Sequence, residues 1–192
     1  MQPPKCASPS DRKRGFTHQK DKIEMKRFFV TLFAVLGVAT LSAQQLPDVK
    51  IEDITGKEVS VRSLATKPLI IAYWSIACKP CIQELNAIND ALADWRKEAD
   101  FNVIAVSIDD ARLKATAKNM ASARGWEFIC LFDDNQELKR AMNVSLTPQS
   151  FVVDGEGNII YSHSGYTPGS EESLFDKILD LKEGKTKEKK KK

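Results

Sequence analysis

The sequence predicts an α/β domain with a mixed β-sheet flanked by helices and an N-terminal β-hairpin in front. Three observations predict it. Leu69–Trp74 and Phe101–Ile108 are nearly continuous apolar runs, as expected of strands covered on both faces. Each is followed by a stretch with helical spacing of its apolar residues. Later, Gln149–Val153 and Asn158–His163 flank Asp154-Gly155-Glu156-Gly157, a strong hairpin turn signal. Strands alternating with helices require parallel pairing through crossovers, and the late hairpin adds antiparallel strands at one side.

Taken in order, Lys50–Ile54 and Glu58–Val61 flank Thr55-Gly56 and form the first hairpin. Lys67-Pro68 ends a connector into the Leu69–Trp74 strand. Ile82, Leu85, Ile88, Leu92 and Trp95 recur at three and four residues, marking one face of a helix from about Cys78 to Ala99. After the Phe101–Ile108 strand, Arg112–Arg124 is a weaker helix closed by Gly125. Trp126–Phe132 is a short strand and Gln136–Met142 a helical turn or two. Ser170 is the expected cap of a last helix that turns Leu174, Phe175, Ile178, Leu179 and Leu181 inward.

The chain has 192 residues and a formal charge of +3, but both ends are basic. Residues 44–181 hold 14 Lys and Arg against 21 Asp and Glu, so the body is acidic by about 7 charges. The basic residues sit in tails rather than in a patch interleaved with aromatics, which argues against nucleic acid as a partner. Lys26-Arg27, the apolar run Phe28–Leu41 and the small Ser42-Ala43 give residues 25–43 the form of a secretory signal peptide cut after Ala43. An uncleaved membrane anchor is the alternative reading of that run. Gln44 stands where lipid attachment would need Cys. Residues 1–24, with Cys6, are too long and mixed in charge for an n-region and are read as an extension before the true start at Met25, or as disordered. The globular domain is placed at 46–181, and residues 182–192, with seven Lys, as a solvated basic tail.

Export makes disulfides available. The mature body has only Cys78, Cys81 and Cys130, too few for a structural framework or a four-Cys zinc site. Cys78-Lys79-Pro80-Cys81 follows a buried strand and opens a helix. That places two thiols to close a small ring where the helix N-terminus favours thiolate over thiol. Lys79 adds positive charge beside Cys78, and Pro80 occupies a first-turn position where no amide is missed. Cys130 is read as a buried small hydrophobe.

Trp74-x-x-x-Cys78-x-Pro80-Cys81-x-x-Glu84, followed far downstream by Val144-x-x-Thr147-Pro148-x-x-Phe151-Val152-Val153-Asp154-x-x-Gly157, resembles the thioredoxin superfamily. It is most similar to the exported TlpA/ResA-type thiol–disulfide oxidoreductases. The resemblance covers residues 46–181 and implies a thioredoxin-like fold. It makes Cys78 the nucleophile, Cys81 the resolving thiol and Pro148 a cis-proline whose preceding Thr147 pairs with substrate backbone. Glu84 stands where relatives carry a carboxylate that exchanges protons with the inner thiol, while Ala72 occupies the place of the buried Asp of many thioredoxins. Trp74, Lys79 and Pro80 are expected at the substrate surface. No cofactor or resident metal is implied. The implied partners are protein thiol or disulfide substrates and a membrane or envelope electron donor, and the chain is expected to act as a monomer in the periplasm or cell envelope. Ala77 and Lys79 depart from the usual Trp and Gly, a difference that bears on substrate surface and redox potential. Two other functions share the fold: a peroxiredoxin-type thiol peroxidase, and a non-enzymatic copper chaperone using a Cys pair and a His, for which His163 is the available residue.

Overall fold

The computed structural model describes residues 44–185. The segments read as a signal peptide at 25–43 and an extension at 1–24, and tail residues 186–192, lie outside the described residues. Among the described residues no helix is long and apolar enough to cross a membrane.

Among the described residues seven strands form one sheet. They are β1 (Lys50–Asp53), β2 (Glu58–Ser60), β3 (Leu69–Trp74), β4 (Asn102–Ser107), β5 (Ile129–Phe132), β6 (Gln149–Val153) and β7 (Ile159–Ser164). Their spatial order is β2-β1-β5-β4-β3-β6-β7. β3, β4 and β5 run parallel, while β1 on β5, β6 on β3 and β7 on β6 are antiparallel. The sheet is mixed as predicted. The N-terminal hairpin settles at the edge beside β5, a long-range pairing that its own residues do not encode.

Every residue of β3 is buried, which explains the unbroken apolar run. The two-residue period of a strand still divides it. Leu69, Ile71 and Tyr73 enter one core with Ile104, Val106, Leu131 and Phe151. Ile70 and Val152 face the other side, packed with Ile88, Leu92, Trp95 and Phe175. Ala72 and Trp74 share that second side with Cys81, Leu85 and Phe132.

Helices α1 (Lys79–Glu98) and α2 (Lys114–Arg124) carry the crossovers β3-α1-β4-α2-β5. Both steps move across the sheet in the same direction, so right-handed crossovers put both helices on one face. Ala117 and Ala121 of α2 accordingly join Cys81, Ile82 and Leu85 of α1 in one cluster. Gly125 ends α2 at φ 64°, a left-handed cap that suits glycine. Helix α3 (Glu137–Ala141) carries the chain back toward β6, and its Leu138 packs in the opposite core.

The last helix, α4 (Glu172–Lys182), turns Leu174, Phe175 and Ile178 inward as predicted. Phe175 stacks on Trp95 of α1, with ring centroids 4.7 Å apart. Ser170 does not cap it. Glu171 holds the cap position without a side-chain cap bond, its Oε2 accepting from the Gly169 amide at 2.9 Å, and Ser170 Oγ accepts from the Thr167 amide at 3.3 Å. The turn at Pro168-Gly169 absorbs the residues expected to begin the helix. The predicted strand from Trp126 also starts later, at Ile129, because Trp126 and Phe128 turn inward to form an aromatic wall.

Candidate active site

Strand β3 is where the sheet's connections diverge. The chain leaves it over one face toward β4 and reaches its other neighbour, β6, from the opposite face. In open α/β sheets the C-terminal end of such a strand is the natural place for a site. The segment Ser75-Ile76-Ala77-Cys78 emerges there, and a turn closes with the Cys78 amide donating to the Ser75 carbonyl at 3.0 Å.

Cys78 and Cys81 form a disulfide with Cα atoms 5.3 Å apart. Cys78 is the N-cap of α1, and its sulfur accepts from the Cys81 amide at 3.3 Å. Lys79 and Pro80 fill the first helical positions, and the first turn carries no acidic side chain. Amide, helix dipole and Lys79 thus all favour negative charge on the Cys78 sulfur once the bond is opened. The two sulfurs are not equivalent. Cys78 is half-buried, whereas Cys81 is 0% exposed.

Glu84 lies one turn beyond Cys81 on the same helical face and is 1% exposed. Its Oε1 accepts from Ser150 Oγ at 2.9 Å, while Oε2 has no hydrogen-bond partner among the described residues. Burial raises its pKa to about 7, the Ser150 hydrogen bond pulls against that rise, and the negative charge of Glu171 adds to it. A carboxyl that titrates near neutrality beside a buried thiol can exchange protons with it.

The Thr147–Pro148 peptide bond is cis. Gln149 pairs with Tyr73, so the register carries the buried Pro148 to the level of Trp74, at the end of β3 where the dithiol emerges. The Gly165 amide donates to the Pro148 carbonyl at 2.9 Å, fastening the β7–α4 connection to this loop. Thr147 is half-buried and Lys79 and Pro80 are exposed, each compatible with the substrate surface expected of them.

Trp74 is a correction. It is 0% exposed and packs edge-on against Trp126, with centroids 5.1 Å apart, so it supports the site from beneath and does not meet substrate. Its place on the inward phase of a strand buried on both faces decides this. Cys130 is buried in the same cluster as Cys81, and burial pushes its thiol up to about 11, leaving it inert at neutral pH. His163 lies on β7 opposite Ser150.

Sequence reasoning missed Asp109. Its buried carboxylate accepts from the Ile76 amide at 3.0 Å through Oδ2 and 3.3 Å through Oδ1, and from Ser107 Oγ at 2.9 Å. The loop after β4 thereby holds the segment that carries Cys78. The only signal was an acidic pair closing a buried strand, which is indistinguishable from an ordinary polar loop.

A family model described as Redoxin matches residues 41–179. The chain belongs to the Redoxin family. This redoxin is 26% identical over 117 residues to the thiol-disulfide oxidoreductase ResA of Bacillus thuringiensis strain Al Hakam, covering 61% of this chain and 66% of that protein. It therefore spans just under two thirds of that relative's length. It is 22% identical over 140 residues to ResA of Bacillus subtilis strain 168, covering 73% and 75%. Among solved structures, an uncharacterized thioredoxin-like protein from Porphyromonas gingivalis is 46% identical, with TM-score 0.64, covering 73% of this chain and 93% of that one. A candidate thiol:disulfide interchange protein DsbE from Chlorobium tepidum is 26% identical with the same TM-score, covering 71% and 94%. The redoxin has the thioredoxin-like fold that its motifs implied.

Proposed function

We propose that this redoxin is an exported thiol–disulfide oxidoreductase that reduces disulfides in protein substrates through Cys78 and Cys81. The observation that carries the reading is the unequal burial of the two sulfurs above a buried carboxyl titrating near pH 7. The Cys78 thiolate attacks a substrate disulfide, forming a mixed disulfide and releasing one substrate thiol. Cys81 passes its proton toward Glu84 and attacks the Cys78 sulfur. That step closes the Cys78–Cys81 bond and releases the second substrate thiol. Two electrons have then moved from protein to substrate, and an envelope or membrane electron donor must reopen the ring.

The ring closed between Cys78 and Cys81 supports exchange over a single-cysteine peroxidase or a copper carrier. Residues 25–43 support export, as does the motif resemblance to the exported TlpA/ResA-type oxidoreductases. Apocytochrome thiols awaiting haem are the substrate suggested by the TlpA/ResA resemblance, a fold-level analogy. A monomer acting without cofactor suffices for this chemistry. The deciding measurement is the reduction potential of the Cys78–Cys81 pair. Reductants of this fold lie near −270 mV and strong oxidants near −120 mV. A value in the lower range supports the reductase reading, and one near −120 mV overturns it.

A further inference from the structure

The loop before the cis-proline exposes an aliphatic side chain for which the fold itself has no use. Leu146 is 74% exposed, whereas the other large exposed hydrophobics among the described residues, Ile54 and Leu113, reach only 40% and 41%. A lone exposed leucine is unremarkable on most surfaces. Here its place in the chain gives it meaning. Ser145, Leu146 and Thr147 lead into the start of β6, and their backbone groups make no hydrogen bond among the described residues. Two residues further on is Pro148, level with the end of β3 from which Cys78 emerges. The segment that carries Cys78 exposes Ala77, Pro80 and one charged side chain, Lys79, with Ile76 half-buried.

An extended peptide whose cysteine reaches Cys78 can pair with the unbonded backbone of this loop by strand addition. Side chains that sit opposite one another in such a pairing lie about 5 Å apart and interact. A residue near the substrate cysteine is then brought against Leu146, and covering that side chain removes apolar surface from water. An apolar neighbour gains from this contact, and a polar neighbour loses hydration with no partner in return.

We propose that Leu146 is a specificity-determining residue that selects protein segments carrying an apolar residue next to the reacting cysteine. The proposal rests on the exchange activity put forward above. Backbone pairing through Thr147 gives affinity to any extended segment, and Leu146 discriminates among them.

The test uses the reduced full-length protein and two peptides, each carrying its cysteine as a mixed disulfide with the same small thiol. The peptides differ only in having Leu or Ser beside that cysteine. Second-order rate constants are measured for each in single-turnover exchange. For the native protein the Leu peptide is expected to react about tenfold faster, equivalent to ~1.4 kcal/mol. In Leu146→Ser the ratio should fall to within about twofold of unity, and Leu146→Phe should restore it, because the contact is apolar rather than shape-specific. A native ratio near unity, or a ratio kept in Leu146→Ser, overturns the proposal. If the native protein exchanges with neither peptide, the oxidoreductase reading has failed and the selectivity falls with it. The separate arms keep the two failures apart.

Discussion

Ser150 Oγ donates to Glu84 Oε1 at 2.9 Å across 66 residues of sequence, tying the strand after the cis-proline to the helix that carries both cysteines. The bond reaches a carboxyl that burial alone would push further from its ordinary value. One hydroxyl therefore helps set the pH at which Glu84 titrates.

The resolving step should gain rate as pH rises through about 7, where Glu84 loses its proton and can accept one from Cys81. Glu84→Gln is expected to flatten that limb and slow exchange by about 10-fold or more. Ser150→Ala should move the limb to higher pH, because the hydrogen bond that favours the charged form is gone. Stopped-flow exchange from pH 5 to 9 measures both. A profile unchanged in Glu84→Gln would remove Glu84 from the mechanism.

Stability carries the same signature with a definite sign. Between the ordinary carboxyl value of 4.5 and about 7, the folded protein keeps the Glu84 proton while the unfolded chain has released it. The unfolded state binds fewer protons there, so native stability falls as pH rises through that window and levels off above it. The full loss is at most ~3 kcal/mol. Glu84→Gln lacks this loss, so its stability relative to native should improve from pH 4 to pH 8. Denaturant melts of the disulfide form at the two pH values give the difference.

Asp109 should matter through the segment it holds. Asp109→Ala leaves the Ile76 amide without its acceptor and is expected to cost about 1–3 kcal/mol. It should also slow exchange by loosening the turn that presents Cys78. Asp109→Asn keeps an acceptor oxygen and should recover most of both losses. Equal effects of Ala and Asn would show that the charge, and not the hydrogen bond to Ile76, is what counts.

The proposed order of action, with the half-buried Cys78 attacking and the buried Cys81 resolving, has a direct test. Cys78→Ser should abolish exchange, whereas Cys81→Ser should accumulate a mixed disulfide through Cys78, detectable by mass spectrometry of the intact adduct. An adduct on Cys81, or normal turnover without it, would reverse the assignment.

The exported form is expected to begin near Gln44, without lipid and outside the cytoplasm. N-terminal sequencing of protein recovered from cell fractions checks this. A product beginning at Met1 and still carrying Cys6 would overturn both the start site and the export.

Local pattern determined much of this protein. The dithiol lies within four residues, so the small ring closed between its sulfurs was legible directly. Helix α1 could be read from the spacing of Ile82, Leu85, Ile88, Leu92 and Trp95, all of which are buried. β3 could be read from an apolar run that two covered faces demand, and the β6–β7 turn from its glycines, Gly157 standing at φ 85°. These signals survive in sequence because they arise between near neighbours on one element. What the tertiary structure decided are relations between distant segments. The hairpin pairs beside β5, Asp109 reaches Ile76, Ser150 reaches Glu84, and Trp74 turns inward onto Trp126 rather than out to substrate. Side-chain type limits what each residue can do, but burial and partner fix what it does, and both are set only when the sheet brings separate strands into register.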